Sequence, residues 1–210
     1  LGQQANFFLA SGIPTERIPL ALNHLLAGAK RAMGAVGDIR ILSATEMPDS
    51  FHARFDARGK RYHYQIHNGG EPDLFQRNYC YYVEKELDLA AMQQAAALIV
   101  GTRDFKCFQA AGGQEQKTTV RTIHGIDLKR EGRKLTLLVT GDGFLYNMVR
   151  ILTGTLVEVG LGRREPAGIP EMLESLDRSR ACHTAPPQGL YLAEVFFEPI
   201  KPVETNDTIE

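Results

Sequence analysis

The stretch that decides the fold is residues 119–159, which read TVRTIHGIDLKREGRKLTLLVTGDGFLYNMVRILTGTLVEV. Two β-rich runs flank Arg130-Glu131-Gly132, and the second run alternates apolar residues onto one face: Leu135, Leu137 and Val139. This pattern predicts a β-hairpin. The apolar segment from Phe144 to about Val159 predicts a long helix directly after the hairpin.

Working outward from this stretch, apolar residues at helical spacing predict a helix over roughly residues 17–33 and another that begins after the N-cap residue Asp88. A shorter helix is predicted at Ile169–Ser179. Strands are predicted at five further places: Ala5–Phe8, Asp38–Met47, Lys60–His67, Asn78–Glu84 and Leu190–Phe197. Runs of strands outnumber strand-helix-strand alternation. We therefore expect an α+β fold with helices packed on a largely antiparallel mixed sheet.

The chain is expected to form one domain over residues 1–199, followed by a polar tail at 200–210 that frays. It opens with Leu1 instead of Met, which suggests a fragment of a longer protein. No apolar run approaches the ~20 residues that cross a bilayer, so no membrane partner is expected. Cys80, Cys107 and Cys182 form no Cys-x-x-Cys pair, which argues against a disulfide framework or a zinc knuckle and favours the reducing cytoplasm.

The 24 basic and 25 acidic residues give a net charge of −1, so a nucleic acid would have to bind a local patch. The densest cationic stretch is residues 51–64, FHARFDARGKRYHY, where aromatic residues alternate with Arg54, Arg58, Lys60 and Arg61. Cations that meet phosphates and a tyrosine that stacks on an unpaired base suit RNA. The alternative is a half-buried strand with Tyr62 in the core and a solvated basic face. His63 and His67 lack a third clustered ligand, so no metal site is predicted.

Arg150 is the only charged residue between Phe144 and Val157, on a segment that is apolar nearly all round. A helix of this kind is buried. A guanidinium cannot lose its proton, so in a core it needs a carboxylate or several carbonyls as partners. The functional interpretation is an arginine that positions an acidic catalytic group. The alternative is an arginine that extends along its methylene stem to the surface.

Two further segments carry open alternatives. The loop from Thr102 to Arg121 is basic, with a pliable Gly112-Gly113 centre, and either clamps RNA or is a solvated loop anchored by Phe105 and Phe108. The turn at residues 184–192, TAPPQGLYL, either forms a wall of a base pocket with Leu190 or simply leads into a strand.

Together these segments resemble the tRNA pseudouridine synthase A family, in family order and over nearly the whole chain to Pro199. The matching motifs include Phe51-His52-Ala53-Arg54-Phe55, Lys60-Arg61-Tyr62-His63-Tyr64, Thr119-Val120-Arg121-Thr122-Ile123, Gly143 to Arg150, and Ala185-Pro186-Pro187-Gln188-Gly189-Leu190. The resemblance implies isomerisation of uridine to pseudouridine at positions 38 to 40 of the tRNA anticodon arm. It also implies that no metal or organic cofactor is used, and that a homodimer holds the tRNA.

The resemblance further implies site residues. Tyr62 matches the family's tyrosine that packs against the target uracil, and Arg150 matches the basic residue that pairs with the catalytic aspartate. Arg54, Arg61, Arg121 and Leu190 are expected to bind the substrate. The family's nucleophile lies in a Gly-Arg-Thr-Asp-x-Gly-Val-His motif that is absent from these 210 residues, so the role is assigned to none of the aspartates present and the fragment is expected to be inactive.

Two functions from other classes remain open. One is a non-catalytic RNA-binding domain, which the missing motif favours. The other is a small-molecule α+β enzyme with His52 or His63 as base, for which the sequence offers neither a nucleotide-binding glycine loop nor a triad-like order. Conversion of uridine and binding of tRNA distinguish these functions.

Overall fold

The computed structural model describes residues 2–28, 38–114 and 116–200. The chain divides into two compact units, one comprising Leu1–Gln4 and Ala57–Glu210 and the other Ala5–Asp56. The prediction of one domain over residues 1–199 stays a prediction. The predicted frayed tail falls almost entirely on residues 201–210, outside the described residues.

The larger unit is built on a six-stranded sheet. Its strands are β1 (Gly59–Asn68), β2 (Tyr81–Val83), β3 (Gly101–Asp104), β4 (Val120–Glu131), β5 (Lys134–Gly141) and β6 (Leu190–Phe196). The order is β2-β1-β5-β4-β3, and β6 also pairs with β1. Strand β1 is central, because β5 pairs with one of its edges while β6 and β2 share the other. Only the β1–β2 pair is parallel among the described strands, so the predicted largely antiparallel mixed sheet is confirmed.

The predicted hairpin is the β4–β5 pair. Glu131 lies opposite Lys134, so the turn has two residues, and Gly132 takes a φ of +58° that suits glycine in such turns. Residues of β5 alternate as expected, with Leu135, Leu137 and Val139 buried. The hairpin thus supplies the middle of the sheet, and the buried residues of β5 form part of the apolar core.

Three helices belong to this unit: α2 (Leu89–Ile99), α3 (Met148–Gly160) and α4 (Ile169–Glu174). Asp88 caps α2 as predicted, its carboxylate accepting the Ala91 N–H at 3.0 Å. Gly160 allows α3 to approach α2 closely, since a Cβ there would lie 2.8 Å from the Met92 sulfur. The described helices include none long and apolar enough to span a bilayer.

The sheet has two faces of different character. Tyr62, Tyr64 and Ile66 of β1 point to the side that joins α2 and α3 in one apolar core, which we call the inner face. The alternate residues of β1 point to the outer face: Arg61, His63, Gln65 and His67. Helix α3 is buried nearly all round, as the sequence predicts.

Two helices differ in length from the prediction because a non-glycine residue takes a left-handed backbone. Asn147 has a φ of +58°, so α3 begins at Met148 instead of Phe144. Leu176 has a φ of +52°, so α4 ends at Glu174 and a 3-10 turn, Arg178–Arg180, replaces the rest of the predicted helix. A left-handed residue cannot continue a right-handed helix.

The smaller unit contains α1 (Ile18–Ala27), which ends before Gly28 at a φ of +46°. The rest of the helix predicted over 17–33 falls largely on residues 29–37, outside the described part. The predicted strands at Ala5–Phe8 and Asp38–Met47 are wrong, since these residues are irregular. A side chain satisfies backbone groups that a partner strand would otherwise pair: the Asn23 amide both donates to and accepts from Ile41, at 2.8 and 2.7 Å.

Candidate active site

Tyr62 lies half-buried on the inner face, opposite Val139 of β5 and Leu192 of β6. The Phe144 ring meets the Tyr62 ring edge-on, with centroids 5.2 Å apart and planes at 88°. Burial raises the pKa of the Tyr62 phenol above its usual 10.0. The ring is therefore a neutral aromatic surface at physiological pH, held from one side by a second aromatic ring.

Arg150 lies in the first turn of α3 and is held by uncharged groups. Its Nε donates to the Ala185 carbonyl at 2.7 Å, and its Nη1 donates to Oδ1 of Asn147 at 3.1 Å. No carboxylate of the described residues lies within 4.0 Å of the guanidinium. Arg150 is half-buried, and the described residues give its guanidinium a backbone carbonyl and an amide oxygen as acceptors but no carboxylate partner.

The turn that binds Arg150 is fixed to β1. The Tyr64 hydroxyl donates to the Pro186 carbonyl at 2.5 Å. Gly189 allows the turn to approach β1, because a Cβ there would lie 2.7 Å from the Gln65 carbonyl and from the Tyr64 ring. Burial raises the pKa of Tyr64, and the positive charge of Arg150 opposes that increase. Tyr64 therefore remains a hydroxyl donor, and the turn that holds Arg150 is positioned from the central strand.

Leu190 is the first residue of β6 and lies directly opposite Tyr64. It is partly buried and packs against the inner-face core. The turn from Thr184 therefore does lead into a strand, and it also contacts the side chain of Arg150 through Ala185. The lead into a strand is therefore confirmed, and a base-pocket wall formed with Leu190 stays a prediction.

Arg121 lies on β4, two residues before the buried Ile123, and so shares the inner face with Tyr62. Its Nη1 donates to the carbonyls of Thr118 and Val120, at 2.9 and 2.6 Å. A Cβ on Gly143 would lie 3.4 Å from its Nε, which places Arg121 beside the segment that leads to Phe144. Like Arg150, this arginine is held by uncharged acceptors.

Arg61 lies on the outer face instead. Its Nη1 forms an ion pair with Glu194 at 3.1 Å, its Nε donates to Thr140 Oγ1 at 3.0 Å, and its guanidinium carbon lies 5.3 Å from the centroid of Phe196. Successive residues of a strand point to opposite faces, so Arg61 and Tyr62 do not share a surface. A substrate contact by Arg61 stays a prediction.

Arg54 belongs to the smaller unit. Its backbone N–H donates to His52 Nδ1 at 3.1 Å, and its guanidinium carbon lies 5.8 Å from the centroid of the Phe55 ring. Its predicted contact with the substrate is untested. Of the predicted site residues, the inner face of the larger unit therefore carries Tyr62, Arg121 and Leu190, and Arg150 lies on helix α3, which is packed on that face.

The basic loop after β3 is anchored by its phenylalanines, since Phe105 and Phe108 are fully buried. Thr119 donates to Asp104 at 2.6 Å and closes the loop, and the Ala110 N–H donates to the Tyr146 carbonyl at 3.1 Å. A cavity of about 570 Å³ lies beside the loop, lined by residues that include Lys106, Gln109 and Arg178. Anchoring is thus confirmed, and an RNA clamp stays a prediction.

Sequence reasoning missed three residues that shape this site: Phe144 against Tyr62, Asn147 on Arg150, and Tyr64 on the 184–190 turn. An asparagine between an aromatic residue and an apolar helix is a signal that could have indicated a left-handed turn. The described residues contain no group of three or more His, Cys, Asp or Glu side chains that could hold a metal ion.

A family model and individual relatives to which the chain is similar agree in their description. Residues 95–198 match a family model described as tRNA pseudouridine synthase. The chain is 46% identical over 197 residues to a tRNA pseudouridine synthase A of Acetivibrio thermocellus, covering 94% of this chain and 77% of that protein. It is 44% identical to the protein of the same name from Caldicellulosiruptor bescii, with the same coverage. It is 40% identical over 198 residues to that of Bacillus licheniformis, covering 94% of this chain and 76% of that protein.

Proposed function

The chain belongs to the tRNA pseudouridine synthase A family and is a pseudouridine synthase, an isomerase acting on tRNA uridine, and we propose that its targets are uridines 38 to 40 of the anticodon arm. The observation that supports the site is that the two family residues, Tyr62 and Arg150, are both held in place around the inner face. The finer target assignment rests on the family resemblance.

The reaction breaks the N1–C1′ bond of uridine, turns the uracil without releasing it, and joins C5 to C1′. A carboxylate nucleophile in an enclosed pocket is sufficient for this chemistry. The target nucleotide must first leave its helical stack. We assign to Tyr62 the aromatic surface on which the uracil packs, which offsets unstacking by ~1–3 kcal/mol per base. The phenol is uncharged at physiological pH, and burial raises its pKa further above that pH.

We assign to Arg150 the pairing with the nucleophilic carboxylate. A guanidinium beside a carboxylate favours its ionised, nucleophilic form. The motif that supplies this aspartate in the family does not occur in the 210 residues. Leu190 is assigned to the wall of the uracil pocket, and Arg54, Arg61 and Arg121 to the phosphates. The proposal includes a homodimer that holds one tRNA across both subunits and a location in the cytoplasm, which the free thiols of Cys80, Cys107 and Cys182 suit.

Release of tritium tests the function, because joining C5 to C1′ expels the C5 hydrogen of uridine. The protein is assayed as it is encoded, with any residues that precede Leu1, on tRNA labelled with tritium at C5 of its uridines. Release should occur with unmodified tRNA of natural sequence and stop when uridines 38, 39 and 40 are all replaced by cytidine. Continued release from the replaced tRNA would contradict the anticodon-arm assignment. Binding without release from either tRNA would instead favour an RNA-binding domain.

A further inference from the structure

We propose that Asn147 is a positioning residue of the reaction: its side chain orients the Arg150 guanidinium, and because that side chain is neutral it leaves the charge of the arginine available to the reacting carboxylate. This inference rests on the proposed function of Arg150. It concerns a residue that touches neither uracil nor nucleophile and acts through the arginine alone.

The first observation is that the Asn147 side chain does not cap α3, although Asn147 is the N-cap residue. An N-cap asparagine ordinarily accepts a backbone N–H from the second or third residue of its helix. Arg150 is that third residue, yet Oδ1 of Asn147 accepts from its guanidinium Nη1 at 3.1 Å. The side chain of Asn147 is therefore used for the arginine and not for the helix.

The second observation is the backbone of Asn147, at φ 58° and ψ 10°. Only Asn147 and Leu176 among the described non-glycine residues have a positive φ. The turn is fixed on both sides, because the Met148 N–H donates to Leu145 and the Ile151 N–H donates to the Asn147 carbonyl, both at 3.0 Å. Asparagine tolerates this conformation better than most residues. Glycine tolerates it better still, so the backbone alone does not explain the asparagine.

The third observation is the arrangement of the guanidinium. Ala185 binds Nε at 2.7 Å and Asn147 binds Nη1, so two acceptors on different nitrogens fix the plane. Nη2 has no hydrogen-bond partner in the described part of the chain. A guanidinium binds a carboxylate through two parallel N–H groups, which Nη2 and the second hydrogen of Nη1 can supply.

Charge then explains why the residue is asparagine. Both acceptors are neutral, so the positive charge of Arg150 is available to the reacting carboxylate. An aspartate at position 147 would make the same hydrogen bond but neutralise the arginine before the nucleophile reaches it. The two requirements, a left-handed backbone and a neutral acceptor, are met together by asparagine.

The test compares Asn147→Gly with Asn147→Asp in the protein as encoded, by tritium release from tRNA and by thermal melting. Asn147→Gly keeps the backbone and should lower kcat about tenfold, with an unchanged KM for tRNA, because a misplaced catalytic group costs rate rather than affinity. Its melting temperature should stay close to that of the wild type. Asn147→Asp should lower kcat by about a hundredfold or more without loss of melting temperature, as expected where a competing charge replaces a neutral acceptor.

Asn78 is exposed, so Asn78→Gly and Asn78→Asp serve as matched controls and should leave kcat unchanged. In an Arg150→Lys background, Asn147→Gly should cost less than about twofold, because residues that act through one another are not additive. Wild-type kcat in Asn147→Gly, or full additivity in that background, would overturn the proposal. Absence of release from the wild type would refute the proposed function itself, and this inference with it.

Discussion

The two faces of the central sheet treat their arginines differently. On the outer face Arg61 pairs with the carboxylate of Glu194 at 3.1 Å, with side chains that are 32% and 49% exposed. On the inner-face side, Arg150 and Arg121 are held by carbonyl and amide oxygens. An exposed ion pair stabilises a protein by only about 0–1 kcal/mol, yet it neutralises the charge it contains.

The density of charge in the sequence therefore does not tell which arginines are paired with a carboxylate in the structure. The densest basic stretch of the sequence includes Arg61, whose charge is paired within the sheet. Arg150, the isolated arginine of an apolar helix, has only neutral acceptors among the described residues. The two faces therefore differ in the partners of their arginines, a carboxylate on the outer face and neutral oxygens on the inner-face side.

The largest effect is expected from Arg150→Met. Without the guanidinium the nucleophilic carboxylate is mispositioned and shifts toward its protonated form, so kcat should fall at least about a thousandfold, or ~4 kcal/mol of transition-state stabilisation. Single-turnover tritium release measures this, with circular dichroism to verify the fold. Arg163→Met, which removes an exposed arginine paired with Glu158 at 2.9 Å, is the control and should retain kcat. Normal turnover by Arg150→Met would show that Arg150, although its acceptors are neutral, takes no part in the reaction.

An effect as large is expected from one of two tyrosines of the same sheet. Tyr62→Leu on the inner face should abolish turnover while tRNA affinity stays within several-fold, because phosphate contacts dominate affinity. Tyr191→Leu is the outer-face counterpart, since Tyr191 pairs with His63 and donates its hydroxyl to the Tyr79 carbonyl at 2.5 Å. It should change stability and leave turnover intact. Equal losses in both variants would mean that the faces do not differ in function.

A smaller effect concerns tRNA affinity and its salt dependence. Arg121→Met should weaken binding about tenfold and reduce the slope of log K against log salt by about one, because one phosphate contact is lost. Arg61→Met should do less, since Glu194 already offsets its charge. Filter binding between about 50 and about 200 mM salt measures the tRNA affinity of both variants and its salt dependence. A steeper loss for Arg61→Met than for Arg121→Met would reverse the comparison.

The smallest effect is on stability, and it appears at opposite ends of the pH scale. Burial, with Arg61 and Lys134 nearby, lowers the pKa of His63 from 6.5, so its contribution to stability is present above 6.5 and is lost as pH falls below that value. Burial raises the pKa values of Tyr62 and Tyr64 above 10.0, so their contributions are present below pH 10.0 and are lost as pH rises beyond it.

Thermal melts between about pH 5 and about pH 11 test these two pH dependences, because that range brackets the ordinary pKa values of histidine and tyrosine. His63→Gln should flatten the acid side of the stability curve and leave the alkaline side unchanged. Tyr64→Phe should flatten part of the alkaline side, at the cost of its hydrogen bond to Pro186. A His63 variant that altered only the alkaline side would contradict the lowered pKa of His63.

Local patterns predicted the parts of the fold that local physics determines. The β4–β5 hairpin, the Asp88 cap and strand β1 follow from alternation and capping within a few residues. The strands predicted at Ala5–Phe8 and Asp38–Met47 failed because strand formation depends on a partner that a periodic pattern does not specify. The left-handed Leu176 carried no residue-type signal at all.

The candidate site also combines residues that local sequence predicts with contacts that it does not. Tyr62 and Arg150 were identified from their residue types and from the family motifs. Their partners were not, because the Ala185 acceptor is a backbone carbonyl, which any residue has, and lies 35 positions from Arg150. Glu194, the partner of Arg61, lies 133 positions away. Contacts at such separation are set by tertiary packing and leave no local trace in the sequence.

The pairing of β1 with β6 has a consequence for biosynthesis. Strand β1 emerges from the ribosome before β6, which completes one of its edges: Leu190 lies opposite Tyr64 but follows it by 190 − 64 = 126 positions. Chains are made from the N-terminus, and pairings between distant segments form slowly. A nascent chain that ends soon after Arg150 therefore lacks β6, one of the two strands beside Tyr62, and the Ala185 acceptor of the arginine. The surroundings of Tyr62 and Arg150 can therefore take their final form only after translation has passed Leu190.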